Sequence, residues 1–232
     1  MAAPISEVKG MEIKFTKKLS DYDCVVMFDL ATRSTGVCVW DVKTSRPLYT
    51  ENIVTTGKTG NRADELLHAL DDFFVRFFRK YDANTKVLVH RELCPIQQGR
   101  FTTAKTLISL GKSHAVLDIY LAEHGYDYYD LAGVSPSTTH SHFRHLMGLD
   151  SRAKVEKEDV RKYLVSEYGI DPTLGLDESD AIFLAKTFVE RFWNAELDEE
   201  CREVKRHIKT LKSPKAIEAQ RERIDFLSGL EV

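Results

Sequence analysis

The chain has 232 residues, of which 43% are hydrophobic and 30% charged. That balance excludes wholesale disorder and supplies enough apolar material for a core without disulfide or metal staples. Lys and Arg number 33 against 36 Asp and Glu, a net charge of −3, so the total does not by itself predict a polyanion partner, although a basic groove can sit beside an acidic site. No run approaches the roughly 18–20 apolar residues of a membrane span. The opening Met1–Glu7 has neither the basic start nor the apolar core of a secretion signal. Cys24, Cys38, Cys94 and Cys201 form no Cys-x-x-Cys, which excludes a zinc ribbon or disulfide scaffold and fits a reducing compartment such as the cytoplasm.

Residues 1–21 are polar and mixed and read as an N-terminal arm or an edge strand. Cys24–Leu30 is a nearly continuous apolar run, as expected of a strand covered on both faces. Thr32–Gly36 reads as a turn, Val37–Asp41 as a second strand, Asp41–Pro47 as a hairpin turn and Leu48–Thr56 as a third strand. Arg62–Lys80 is helical, with Leu66, Leu67, Leu70, Phe73, Phe74 and Phe77 on one broad face. Val87–Leu93 is a fourth strand. Thr102–His124 is a long helix with apolar Leu107, Ile108, Leu110, Leu117, Ile119 and Leu121. Tyr126–Leu131 reads as a short fifth strand, and Val134–Asp150 as a loop. Lys157–Tyr168 and Asp177–Trp193 are helices. From about residue 196 an acidic cluster gives way to Lys- and Arg-rich helical sequence with few apolar residues, read as a solvated tail. The order β-β-β-α-β-α-β-α-α predicts a mixed sheet with helices on both faces.

Three places carry candidate chemistry. Asp29 lies inside an apolar strand, where an unpaired carboxylate is costly, and the small residues after it, ending in Gly36, leave room for a phosphate to approach. Asp177-Glu-Ser-Asp180 opens an apolar helix. Capping accounts for Asp177, but spacing i, i+3 puts Asp180 on the same face, and two like charges side by side call for a cation between them. His90-Arg-Glu92 ends the fourth strand, with His90 and Glu92 on one face of the sheet; polarity where the chain re-enters water explains them equally well. Together these residues could converge at one sheet edge. Oxygen ligands without a Cys or His cage suit a hard cation such as Mg²⁺ or Mn²⁺, and two such ions about 4 Å apart clamp the attacking and leaving oxygens in phosphodiester hydrolysis.

Phe28-Asp-Leu-Ala-Thr-Arg-Ser-Thr-Gly-Val37 resembles the opening strand motif of RuvC-type Holliday-junction resolvases, within the ribonuclease H-like superfamily. Lys157-Glu-Asp-Val-Arg-Lys-Tyr-Leu-Val165 resembles the family's lysine-led helix, and Asp177-Glu-Ser-Asp180-Ala-Ile182 its C-terminal D-x-x-D-A helix. The resemblance covers about residues 23–193. It implies an α/β, ribonuclease H-like domain over 22–195 with a five-stranded mixed sheet, followed by a helical extension over 196–232. It also implies four metal-binding carboxylates: Asp29, one at the end of the fourth strand, Asp177 and Asp180. The family's usual register falls on His90. Glu92, two residues on, is chosen because it alone supplies a carboxylate, leaving His90 as a neighbour or as a ligand in its own right. Lys157, and less well Lys154, falls where the family places phosphate-contacting bases. The resemblance implies further a metal-dependent endonuclease with two Mg²⁺ or Mn²⁺ ions per site, branched DNA as partner, a homodimer, and residence in a DNA-containing compartment. Thr102–His124, through Leu117, is the candidate dimer seam. His140-Ser-His-Phe-Arg-His145 reads as a polar DNA-contacting loop or plain surface, and Phe101 and Phe143 as candidates for wedging or stacking at a branch.

Two other classes compete. Sugar kinases, actin and chaperone ATPases also begin with an Asp in a strand before a Gly-containing turn, but they need a duplicated domain and Gly-rich phosphate loops, and this chain has 12 glycines. A nuclease-fold protein that binds nucleic acid without cutting is kept open by the displaced glutamate.

Overall fold

The computed structural model describes residues 19–57, 62–93, 103–128, 134–210 and 213–228. Strand β1 (Cys24–Leu30) is apolar except at Asp29 and lies at the centre of the sheet. Strand β2 (Ser34–Asp41) pairs with it antiparallel, and β3 (Arg46–Val54) pairs antiparallel with β2 at the edge. On the other side β4 (Val87–Arg91) runs parallel to β1, and the two-residue β5 (Asp127–Tyr128) runs parallel to β4. The spatial order is β3-β2-β1-β4-β5, a mixed sheet of four full strands and one short one.

Strand alternation divides the core in two. Val26, Phe28, Val37, Val39 and Val89 face helices α1 (Arg62–Tyr81) and α2 (Ala104–His124). Leu66, Leu70, Phe73, Phe74 and Phe77 recur every three or four residues and form the buried stripe of α1. On α2, Leu117 and Leu121 are buried, and the Arg91 guanidinium grips Asp118 through two hydrogen bonds of 2.8 Å, which pins α2 to β4. Val25, Met27, Cys38, Trp40 and Leu88 face the opposite way. That face is covered by α3 (Pro136–Leu146), α4 (Lys157–Tyr168) and α5 (Leu176–Ile208). Every residue from Ala181 to Glu190 is buried, so this part of α5 is enclosed all round. Helix α6 (Pro214–Ser228) packs on α5.

Several sequence expectations need correction. The turn after β1 is shorter than expected, because Ser34, Thr35 and Gly36 already pair with β3 and β1. The expected loop over 134–150 contains α3, with Ser135 as N-cap accepting from the Thr138 amide at 3.2 Å and Pro136 in the first turn. Ser followed by Pro is a readable helix-start signal. Phe143 is buried against Phe183 and Tyr163, which removes it as a stacking residue; Phe101 lies outside the described residues. Leu117 is 0% exposed and packs inward beneath the sheet, so it cannot line a seam, whereas Ile108 and Ile119 on the same helix are 62% and 57% exposed. Helix α5 runs without interruption past Trp193. Of the expected N-terminal arm, residues 19–21 are described, as a short 3-10 turn with Leu19 buried. Among the described residues no helix is long and apolar enough to cross a membrane.

Candidate active site

Asp29 stands one residue before the end of β1, on the face that α5 covers. The parallel register pairs Met27 with His90 and Phe28 with Arg91, so Glu92 comes alongside Asp29. The Glu92 amide donates to the Phe28 carbonyl at 3.0 Å, which extends the pairing just past β4. The two carboxyl groups are hydrogen-bonded to one another. Burial, then the Asp180 charge, raises the Asp29 carboxyl above the usual range, and Lys157 only partly offsets this. Burial, then the Asp29 charge, raises Glu92 as well. Two carboxyls that cannot both ionise easily hold a proton between them.

The remaining acids arrive on the first turns of α5. Gly36 is paired opposite Asp29, and a Cβ built on it would lie 2.3 Å from the Asp177 carbonyl oxygen. The missing side chain therefore admits the backbone of α5, where the sequence suggested room for a phosphate. Ser34 Oγ is 2.6 Å from Asp177 Oδ2 and 2.7 Å from Asn52 Oδ1. Its single proton serves one oxygen at a time, unless the Asn52 amide is turned to donate.

Lys157, the first residue of α4, forms an ion pair with Asp180, and its Nζ is 3.5 Å from Asp177 Oδ1. Burial raises the Asp180 carboxyl, against the lowering effect of the Lys157 hydrogen bond and of nearby His140 on α3. Asp29, Glu92, Asp177, Asp180 and Lys157 thus lie together at one end of the sheet. Lys154 pairs instead with Glu156 at 2.5 Å and is largely exposed. His90 is buried deeper, its ring centroid 4.2 Å from that of Phe188 on α5.

Sequence reasoning passed over Ser34 and read His140 as part of a loop. The helix that carries His140 also holds His142, whose Nε2 is 2.5 Å from Glu190 Oε2, and Arg144, whose Nε donates to the Ala153 carbonyl at 2.7 Å. The expected His-rich contact loop is therefore a helix tied to its neighbours.

An all-oxygen donor set with excess negative charge fits a hard divalent cation. Among the described residues no three His, Cys, Asp or Glu side chains stand as they are in an arrangement that would hold one. In this arrangement the Lys157 ammonium offsets part of the negative charge.

No family model matches the chain, and no curated protein matches it. Solved structures do. Thermus thermophilus RuvC is 16% identical over 75% of this chain and 96% of its own, with a TM-score of 0.52. T. thermophilus RuvC in complex with Holliday junction substrate matches with the same identity and coverage and a TM-score of 0.50. The yeast mitochondrial Holliday junction resolvase Ydc2 is 16% identical over 75% of this chain and 80% of its own, with a TM-score of 0.47. The chain has the ribonuclease H-like fold in the form found in RuvC.

Proposed function

We propose that this chain is a metal-dependent, structure-selective DNA endonuclease that cuts four-way junctions by phosphodiester hydrolysis. The observation that carries the reading is the meeting of Asp29, Glu92, Asp177 and Asp180 around the Lys157 ammonium. One lysine among a surplus of carboxyl groups suits a phosphate-handling site better than a structural one, since gathering four acids in one place is costly without a use for their charge. The complex of T. thermophilus RuvC with Holliday junction substrate supports branched DNA as the partner.

In this reading the four carboxylates hold two Mg²⁺ or Mn²⁺ ions. Bound divalent cations would supply an activated water and stabilise the leaving oxygen. Asp29 and Glu92 come from adjacent strands and give up the proton held between them. Asp177 and Asp180 are positioned by the close approach of α5 to Gly36. Lys157 turns from Asp180 towards the phosphate and offsets its developing charge. The nuclease unit spans 22–195, flanked by the arm and the tail, and acts as a homodimer in the DNA-containing compartment. Two opposed cuts need two sites, and exposed Ile119, in the C-terminal half of α2, makes a suitable seam.

A nicking assay with Mg²⁺ on a four-way junction, a linear duplex and an RNA–DNA hybrid tests the reading. Paired cuts in the junction, lost in Asp29→Asn, are expected. A second reading, a nuclease-fold protein that binds without cutting, is favoured by the ion pair that already engages Asp180. Junction binding with no cleavage at any Mg²⁺ or Mn²⁺ concentration would select it.

A further inference from the structure

On the opposite face of the sheet, at the same end, lies a cleft of about 390 Å³ between α1, α2 and the segments that follow β1 and β3. Its charged lining residues are Arg62, Lys105 and Lys112, and its hydroxyls include Thr35, Thr55 and Ser113. None of the three cations forms an ion pair among the described residues. Arg62 is held in place: its Nη1 donates to the Thr32 carbonyl at 3.5 Å, and its side chain lies across Gly57, where a Cβ would come within 2.7 Å of Nε. The acid beside it, Glu65, is engaged by the Thr56 and Gly57 amides at 2.7 and 3.0 Å. Among the described residues no acidic side chain lines the cleft itself. Lys105 and Lys112 sit two turns apart on one side of α2, with the Ser109 and Ser113 hydroxyls beside them.

Clustered cations that repel one another and converge with hydroxyl donors on one concavity call for a polyvalent anion. We propose that this cleft is a phosphate-binding subsite, and that the phosphate it takes is a backbone phosphate of the strand engaged at Asp29. Thr32 lies three residues beyond Asp29, at most about 11 Å of extended chain. A strand passing over the end of β1 therefore meets the carboxylates on one face of the sheet and the cationic cleft on the other. The cleft anchors the strand beyond the scissile phosphate and sets which phosphate reaches the acids. The strand assignment rests on the nuclease reading above; the phosphate chemistry does not.

The test compares the full-length chain with a Lys105→Ala/Lys112→Ala variant, both changes being at exposed helix positions. Binding to four-way junction and to linear duplex is followed by fluorescence anisotropy across a salt series, and binding of inorganic phosphate and of a nucleoside monophosphate is followed by NMR at the Thr55 and Ser113 amides. If the strand supplies the phosphate, the slope of log affinity against log salt falls by about 0.9 in the variant, as expected when one phosphate is no longer neutralised. If a free phosphate compound supplies it, the salt slope is unchanged while the amide shifts vanish in the variant; the subsite stands and its strand assignment is overturned. A wild type that binds no nucleic acid but shows those shifts overturns the nuclease reading and keeps the subsite. An unchanged salt slope together with no phosphate-dependent shift in the wild type overturns the proposal.

Discussion

The α-carbon of Gly36 faces the carbonyl of Asp177 so closely that one added methyl would stand 2.3 Å from the oxygen. The obstacle is helix backbone, which cannot swing aside as a side chain can. This contact sets the distance between the β1–β2 pair, which carries Asp29, and the α5 turn, which carries Asp177 and Asp180. Gly36→Ala is expected to destabilise the fold by about 1–3 kcal/mol, the usual cost of overpacking. Cleavage should fall further than stability explains, because α5 must shift to relieve the clash. Gly111→Ala is the control, since a Cβ there meets nothing within 4 Å, and it should stabilise α2 by up to about 1 kcal/mol. Urea denaturation beside the nicking assay checks both.

At the strand ends, Asp29→Asn and Glu92→Gln should each reduce junction cleavage by well over tenfold, more than about 1.4 kcal/mol in barrier, with binding kept within a few-fold. His90→Ala should separate from them. Its ring is buried against Phe188, so its removal should lower stability by about 2–4 kcal/mol, as other large-to-small core changes do. The rate of the folded fraction should be largely retained. Equal loss of rate in His90→Ala and Glu92→Gln would return the fourth-strand role to His90.

The pH dependence of this site follows from the raised carboxyls of Asp29 and Glu92. Both bind protons more tightly in the folded chain than in the unfolded one. Their contribution to stability is therefore full below the ordinary carboxylate range and is lost as pH rises through their raised folded values. A divalent cation competes with those protons, so its binding should release protons at neutral pH and strengthen as pH rises. Calorimetric titration of Mg²⁺ or Mn²⁺ in buffers of different ionisation enthalpy measures the release. No buffer dependence at pH 7 would remove these carboxyls from the metal site. Lys157→Met should enlarge the release, because Lys157 pulls the Asp29, Glu92 and Asp180 carboxyls down.

The seam on α2 is tested at Ile119 rather than at Leu117. Ile119→Asp places a charge on an exposed position and should leave the melting temperature of the monomer within a few degrees while converting dimer to monomer. Leu117→Asp should instead unfold the chain, since that side chain is enclosed with Leu70 and Phe73. Sedimentation velocity and thermal denaturation distinguish the two outcomes. A wild type that sediments as a monomer while cutting both strands of a junction would sink the dimer.

Away from the site, Lys186 and Glu190 form a buried ion pair on α5, and His142 of α3 holds the other Glu190 oxygen. Burial raises the Glu190 carboxyl, but His142 and Lys186 outweigh it and keep it below the ordinary value. Glu190→Gln strands the Lys186 charge and should cost about 3–5 kcal/mol. Lys186→Met/Glu190→Leu removes the charge altogether and should recover most of that loss, read from urea midpoints at constant slope.

Local pattern was enough for much of the architecture. The apolar run Cys24–Leu30, the phenylalanine stripe of α1 and the apolar opening of α5 each state their element through periodicity, which is a property of neighbouring residues. Asp29 and the Asp177–Asp180 pair stood out because charge interrupts those patterns. Helix α3 was equally local, announced by Ser135-Pro136. Other features depended on partners distant in sequence. On α2, Leu117 and Ile119 look alike by composition, but only the sheet's position decides that one is enclosed and the other open. Likewise His90 and Glu92 share a face of β4, and their difference comes from the β1–β4 register, which pairs His90 with Met27 and carries Glu92 up to Asp29. Gly36 shows the same division. Its lack of a side chain was visible from the start, but what fills the space is decided by a helix far along the chain, whose backbone packs there because its enclosed apolar segment has no other place to be buried.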